Sequence, residues 1–175
     1  MKIAIDAMGG DHGPAVTLAG LSSSISIHPD LEATVFGSED KVVPFLKKYA
    51  LLNNDRIDFV HTTEIVKMDD KPAVALRSKK DSSMRRAIDA VKNGSCGACV
   101  SAGNTGALMG IARFVLKTMP GISRPAICGT MPGIKKSTKL LDLGANVDCS
   151  SEDLLGFAIM GSVLARYTSE IDNPT

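Results

Sequence analysis

The sequence contains no tryptophan, two tyrosines and five phenylalanines among its 175 residues. Proteins that bind single-stranded nucleic acid stack bases on aromatic side chains, which are scarce here. Lys and Arg together number 20 against 19 for Asp and Glu, so the net charge of +1 provides no basic excess to attract a phosphate backbone. Both absences argue against a nucleic-acid-binding protein, and we expect no nucleic-acid partner.

Long hydrophobic runs are also missing. No uninterrupted apolar stretch approaches the roughly 18 residues that a membrane-spanning helix requires. The amino terminus does not resemble a secretory signal peptide, because Asp6 interrupts the first apolar run. The four cysteines lie in or beside apolar segments without the spacing of a disulfide scaffold; they are Cys96, Cys99, Cys128 and Cys149. We therefore expect reduced thiols and a cytoplasmic location.

The sequence does contain a regular alternation of short β-branched apolar runs with longer segments of helical periodicity. The runs predict strands at residues 2–5, 33–36, 56–60, 98–100, 126–129 and 139–143. The longer segments predict helices at 15–27, 39–50, 83–92, 105–117 and 152–167, with one or two helical turns at 72–76. This order is typical of an α/β fold, with a parallel sheet covered by helices on both faces, in one domain over residues 1–175.

Polar, glycine-containing loops follow three of the predicted strands, at residues 6–11, 101–106 and 142–146. Parallel strands bring their carboxyl ends to one edge of a sheet, where α/β proteins bind ligands. The loop around Asn104 and Thr105 is the best candidate anion site, because a helix begins there and its flanking glycines, Gly103 and Gly106, permit close approach to the backbone. A purely structural helix cap is equally consistent with these residues.

Further polar residues are candidates for the same edge. Lys80, Ser82 and Ser83 precede or begin the helix at 83–92, where they suit either an anion or a capping serine beside solvated charges. Asp6 precedes Gly9 and Gly10, and a carboxylate beside glycines either binds a metal or orders a loop.

Two other clusters have less distinctive patterns. Cys96 and Cys99 match C-x-x-C, but redox pairs open a helix and this pair runs into a strand. No second pair or suitably spaced histidine accompanies them, so we expect no metal site. Basic residues in the second half form either a solvated face or a docking surface for an acidic partner; they are Arg113, Lys117, Arg124, Lys135, Lys136 and Lys139.

Six segments together resemble the bacterial phosphate acyltransferase (PlsX) family of phospholipid synthesis. They lie at residues 6–11, 82–84, 101–109, 124–126, 141–149 and 157–163, and their order matches that family over nearly the whole chain. The resemblance implies transfer of a fatty acyl group from the thioester of acyl carrier protein to inorganic phosphate, without a cofactor. It also implies a cytoplasmic homodimer that associates peripherally with the inner face of the membrane.

The same resemblance implies a doubly wound, three-layer α/β/α fold similar to isopropylmalate dehydrogenase and phosphotransacetylase. Members of the family continue for about as long again, so we expect an apparently truncated, N-terminal portion with exposed apolar side chains near residue 175. The residues expected to be catalytic are Asn104, Thr105 and Asn146. Those expected to bind phosphate or substrate are Asp6, Gly9, Gly10, Lys80, Ser82, Ser83, Gly103 and Gly106.

The proposed chemistry needs no strong base. A thiolate leaving group has a pKa near ~8.5 and requires little protonation. Phosphate is substantially dianionic near neutrality, so anion binding and orientation suffice. An inactive remnant remains an alternative, and so does a nucleotide-dependent oxidoreductase, although no G-x-G-x-x-G motif follows a predicted strand.

Overall fold

A computed structural model describes residues 1–134, 137–169 and 174 of the chain. The chain divides into two compact units, Met1–Leu116 and Lys117–Thr175. Among the described residues, none of the helices combines the length and apolar character needed to span a bilayer. The prediction of one domain over the whole chain stays a prediction.

The first unit contains a four-stranded parallel sheet in the order β3-β2-β1-β4. The predicted alternation is confirmed here, with element boundaries within a few residues of those expected. The elements are β1 (Lys2–Asp6), α1 (Pro14–Ile27), β2 (Glu32–Gly37), α2 (Glu39–Lys48), β3 (Ile57–His61), α3 (Pro72–Ser78), α4 (Ser83–Lys92), β4 (Ala98–Ser101) and α5 (Thr105–Leu116).

Helices cover both faces of this sheet. On one face, Leu18 of α1 and Leu46 of α2 are fully buried in the same cluster as Ile5 and Val35. On the other face, the small residues of α4 lie against Ala4 and Phe36. Alternate residues of β1 and β2 thus face opposite layers, which explains why apolar residues on both strands are buried on either face.

The strand register aligns the carboxyl ends of three strands. Asp6, the last residue of β1, pairs with Phe36 of β2 on one side and Ser101 of β4 on the other. The loops after β1 and β4 therefore leave the sheet side by side. This alignment forms the edge at which the candidate site lies.

The second unit contains a short antiparallel hairpin and one long helix. Its elements are β5 (Gly129–Met131), β6 (Thr138–Leu140) and α6 (Ser151–Ser169). The prediction that strands at 126–129 and 139–143 join the parallel sheet is therefore wrong. The antiparallel pairing of β5 with β6 ends at the pair Gly129 and Leu140. Beyond that pair, the backbone N–H of Ile127 donates to the side chain of Asp142 at 2.8 Å and not to the backbone of a neighbouring strand. Lys135 and Lys136 lie outside the described residues.

Helix α6 is apolar on two opposite sides. Phe157 and Ala165 are buried, whereas a second stripe with a spacing of four residues is exposed by 49–86%. That stripe comprises Leu155, Ile159, Val163 and Tyr167. The expectation of exposed apolar side chains in the last part of the chain is confirmed for these described residues.

Candidate active site at the carboxyl edge of the sheet

A buried carboxylate organises the carboxyl edge of the first unit. Asp6 is 1% exposed, and its two oxygens each accept a hydroxyl hydrogen bond of 2.6 Å, from Ser83 and Ser101 respectively. The Ser83 acceptor, Oδ1, also receives the backbone N–H of Met8 at 3.2 Å. Since these donors belong to α4, to β4 and to the loop after β1, one side chain joins three parts of the fold.

The loops after β1 and β4 touch through their backbones. Ser101 Oγ accepts the backbone N–H of Gly103 at 3.1 Å. A Cβ atom on Gly9 would lie 2.6 Å from the backbone nitrogen of Gly103, closer than side-chain carbons approach. Gly10 has a φ of 85°, a conformation that L side chains rarely adopt, and packs against Ala102. Glycine is therefore needed at positions 9 and 10 for separate reasons.

Asn104 caps α5 with one end of its amide and holds a distant loop with the other. Its Oδ1 accepts the backbone N–H of Ala107 at 3.0 Å. Its Nδ2 lies 3.2, 2.9 and 2.9 Å from the carbonyl oxygens of Lys67, Met68 and Asp70. With 8% exposure and both amide ends engaged, the side chain has a structural task that the sequence did not reveal.

The loop held by Asn104, residues 65–70, is here named the strap. Lys79 Nζ donates to the carbonyl oxygen of Ile65 at 2.7 Å and forms an ion pair with Asp70. Hydrogen bonds from Lys79 Nζ and from the Lys67 backbone N–H hold the pKa of Asp70 below its ordinary value. The strap is thus fastened at both ends beside the start of α5.

The first turn of α5 presents exposed donors. Thr105 and Gly106 are both exposed, and within the described ranges no acceptor receives the backbone N–H of either residue. These groups belong to the first turn of the helix, where N–H groups lack intrahelical partners and the helix dipole is positive. The arrangement suits a small oxyanion.

The serines at the start of α4 are engaged internally. Ser82 is fully buried; its Oγ donates to the Lys79 carbonyl at 2.8 Å and accepts the backbone N–H of Arg85 at 3.3 Å. Ser83 donates to Asp6. Lys80, in contrast, is exposed. The roles predicted for Lys80, Ser82 and Ser83 in binding phosphate stay predictions.

Asn146 organises a loop within the second unit. Its Nδ2 donates to the Pro125 carbonyl at 3.0 Å and to Asp142 Oδ2 at 3.1 Å, and its backbone N–H donates to the same carboxylate oxygen at 2.7 Å. Burial acts to raise the pKa of Asp142, but the hydrogen bonds from Ile127 and Asn146 outweigh it and lower that pKa. The catalytic role predicted for Asn146 also stays a prediction.

Of the two cysteines in the C-x-x-C match, Cys99 lies near the Asp6 carboxylate. Burial, together with the nearby charge of Asp6, raises the pKa of Cys99 to about 12. A thiolate, the form that acts in redox and metal chemistry, is therefore disfavoured at neutral pH. All four cysteines of the chain are free thiols.

Sequence reasoning missed Ser101 and the strap. Ser101 is separated from its carboxylate partner by 95 residues, and Asn104 from its carbonyl partners by 34–37 residues. No local pattern marks such pairs. The available signal was the position of a serine at the carboxyl end of a predicted strand.

A separate cleft of about 550 Å³ beside α4, with Lys2, Asp58 and Arg86 in its lining, contains none of the predicted site residues.

Comparison with known proteins decides the family. The profile of a family described as "Fatty acid synthesis protein" matches residues 1–175. The chain belongs to this family. Among its relatives, "Phosphate acyltransferase" of Methylococcus capsulatus is 53% identical over 173 residues, covering 99% of this chain and 51% of the relative. "Phosphate acyltransferase" of Janthinobacterium sp. (strain Marseille) is 52% identical over 176 residues, covering 100% of this chain and 49% of the relative.

A third relative, "Phosphate acyltransferase" of Shewanella amazonensis, is 49% identical over 175 residues and covers 99% of this chain. The chain spans about half the length of the curated relatives that it matches. All three relatives have the name "Phosphate acyltransferase".

Proposed function

We propose that the chain takes part in transfer of a fatty acyl group from the thioester of acyl carrier protein to inorganic phosphate. Family membership and the names of three relatives support this proposal. The observation that carries it is that Thr105 and Gly106, two exposed residues at the positive end of α5, have backbone N–H groups without an acceptor among the described residues. Thr105 lies two residues after Gly103, which the buried Asp6 carboxylate holds through Ser101.

Phosphate binding at α5 follows from simple electrostatics. A hydrogen bond to a charged group contributes about 1.5–3 kcal/mol, and the helix dipole adds about 0.3–1 kcal/mol for an anion at this end. The exposed side chain of Lys80 is a positive charge in the same unit, and it attracts the phosphate dianion toward this unit.

In the proposed reaction, a phosphate oxygen attacks the carbonyl carbon of the thioester. A C–O bond forms, the C–S bond breaks, and the electron pair of that bond leaves with the sulfur as a thiolate. Because the thiolate is a good leaving group with a pKa near ~8.5, no general acid is required. Orientation of the two reactants and hydrogen bonds to the developing oxyanion supply the acceleration.

The resemblance supports several finer proposals. We infer a doubly wound, three-layer sheet similar to isopropylmalate dehydrogenase and phosphotransacetylase; the parallel order β3-β2-β1-β4 with helices on both faces is consistent with it. A cytoplasmic homodimer that associates peripherally with the membrane is proposed on the same basis. Asp6, Gly9, Gly10 and Gly103 form the backbone framework of the proposed phosphate site.

The test is an assay of the chain with acyl-acyl carrier protein and labelled inorganic phosphate. We expect labelled acyl phosphate to form at a rate that depends on phosphate concentration. The Methylococcus capsulatus relative, assayed in parallel, controls for reagents and conditions. Product from that relative but none from this chain would overturn the proposal and favour an inactive remnant.

A pair of variants isolates the backbone donor. Thr105→Pro removes one N–H at the first helical position, where proline is well tolerated, while Thr105→Val removes only the hydroxyl. We expect the proline variant to raise the KM for phosphate about tenfold relative to the valine variant, since one hydrogen bond to a charged group is lost. Equal KM values for the two variants would contradict the assignment of this N–H.

A further inference from the structure

We propose that Ser101 is a positioning residue, which transmits the fixed location of the buried Asp6 carboxylate to the backbone at the start of α5. This inference rests on the proposed function, because it names a residue on which phosphate binding at Thr105 and Gly106 depends. Ser101 itself does not contact the reacting atoms.

The connection runs through two hydrogen bonds on one hydroxyl. Ser101 Oγ donates to Asp6 Oδ2 at 2.6 Å and accepts the backbone N–H of Gly103 at 3.1 Å. Asp6 and Ser101 are neighbours in paired parallel strands, so their separation is set by the sheet. A hydroxyl whose proton is committed to a carboxylate has its lone pairs oriented for a donor on the other side, which fixes Gly103.

Gly103 has no side chain that could anchor it, and its surroundings leave no room for one. It is buried, and a Cβ atom there would lie 2.9 Å from the methyl group of Met84. On its other side it touches the backbone of Gly9. Glycine loses more conformational freedom on folding than other residues, so an external hydrogen bond has more to restrain at this position. The restraint passes along two peptide units to Thr105.

Ser83 provides a matched control. It donates to the other oxygen of the same carboxylate, also at 2.6 Å, and is 1% exposed. Its hydroxyl has no bond to the loop after β4 among those of the described residues. Ser83→Ala therefore removes one donor from Asp6 just as Ser101→Ala does, but it leaves Gly103 in place.

The experiment compares three variants of the full chain in the phosphate-dependent assay. Ser101→Ala is expected to raise the KM for phosphate at least fivefold, and to raise it more than Ser83→Ala does, because only Ser101→Ala removes the hydrogen bond to the Gly103 N–H. Ser101→Thr retains the hydroxyl in a residue type that suits a strand, so it is expected to restore the KM to within twofold of the original value. Equal KM values for the two alanine variants would overturn the proposal.

Amide hydrogen exchange gives a second readout that needs no activity. We expect the Gly103 amide to exchange at least tenfold faster in Ser101→Ala than in either the original chain or Ser83→Ala. An unchanged Gly103 rate in Ser101→Ala would also overturn the proposal.

The two measurements separate this inference from the proposed function. An inactive original chain together with faster Gly103 exchange would reject the function and support the connection from Asp6 to Gly103. An active original chain with unchanged Gly103 exchange and unchanged KM would keep the function and reject the role of Ser101.

Discussion

Each unit of the chain contains a carboxylate at the end of a β-structured segment, and the two carboxylates are served in different ways. Asp6 binds hydroxyls from residues that lie 77 and 95 positions away in the chain. Asp142 binds backbone and amide groups that lie 15 and 4 positions away. The first arrangement requires three elements to be assembled, whereas the second closes a local loop.

The asparagines show the same contrast. Asn104 reaches three carbonyls of the strap, 34–37 residues earlier, while Asn146 reaches Pro125 and Asp142, 21 and 4 residues earlier. Similar residue types beside glycines thus serve a network spanning the first unit in one case and a turn in the other. The separation of partners along the chain, and not the residue type, distinguishes the two.

The thiols offer the largest expected difference between the units. Because the pKa of Cys99 rises from 9.0 to about 12, its thiolate fraction at pH 8 is about a thousandth of that of an ordinary cysteine. Cys149 in the second unit is exposed. Timed alkylation with iodoacetamide, followed by peptide mass spectrometry, should label Cys149 at least about a hundredfold faster than Cys99. Comparable rates under native conditions would contradict the burial of Cys99.

Charge removal at the two carboxylates should separate the networks by stability. Asp6→Asn weakens two charge-assisted hydrogen bonds in a buried site, and we expect it to lower the free energy of unfolding by about 3 kcal/mol. Asp142 is half-buried, so water can replace the hydrogen bonds that Asp142→Asn weakens. We expect that variant to lower the free energy of unfolding by about 1 kcal/mol. Urea unfolding of both variants measures the difference, and a larger effect at Asp142 would reverse the comparison.

The contribution of Asp142 should also depend on pH. Its pKa in the folded chain is below the ordinary value of 3.8, so the folded state favours the charged carboxylate. The stabilisation is therefore fully present above pH 3.8 and is lost as the pH falls through the lower folded value. Stability curves of the original chain and Asp142→Asn should converge in that acidic range, and a gap that widens there would have the wrong sign.

A further pair of variants separates the two ends of the Asn104 amide. Asn104→Asp retains an oxygen to cap Ala107 but places a carboxylate against the strap carbonyls, while Asn104→Ala loses both contacts. We expect each variant to lower the free energy of unfolding by about 2 kcal/mol and to speed amide exchange in the strap. Only Asn104→Asp should keep the Ala107 amide protected. Unchanged amide exchange in the strap of that variant would show that the contacts of Asn104 with the strap carbonyls do not stabilise the strap.

Sequence patterns sufficed for the first unit because its two central strands, β1 and β2, and the helices on them are buried. Leu18, Val35 and Leu46 belong to apolar runs whose period identifies the element, and each is fully buried. In the second unit, the apolar run at 126–129 has the composition of a strand, but the Ile127 N–H is taken by a carboxylate 15 residues later. Composition cannot reveal such a competing acceptor.

At the candidate site, the grouping of Asp6 and Gly103 follows from the rule that parallel strands share a carboxyl edge. The caps that Ser82 and Asn104 provide for Arg85 and Ala107 confirm the structural alternative stated for these residues. Their contacts with Lys79 and the strap, and the bond from Ser83 to Asp6, do not follow from any rule on residue type. Their hydroxyl and amide groups suit a ligand and a loop contact equally well, and only the folded positions of Lys79, Asp6 and the strap decide between them.

The backbone contact between Gly9 and Gly103 has a further consequence for how this edge can change. The two loops can approach this closely because neither Gly9 nor Gly103 has a Cβ atom. A single added methyl group at position 9 would spread the loops while leaving every donor in the sequence intact. A substitution at position 9 would therefore act on the start of α5 indirectly, by displacing the backbone of Gly103, although it changes no polar side chain.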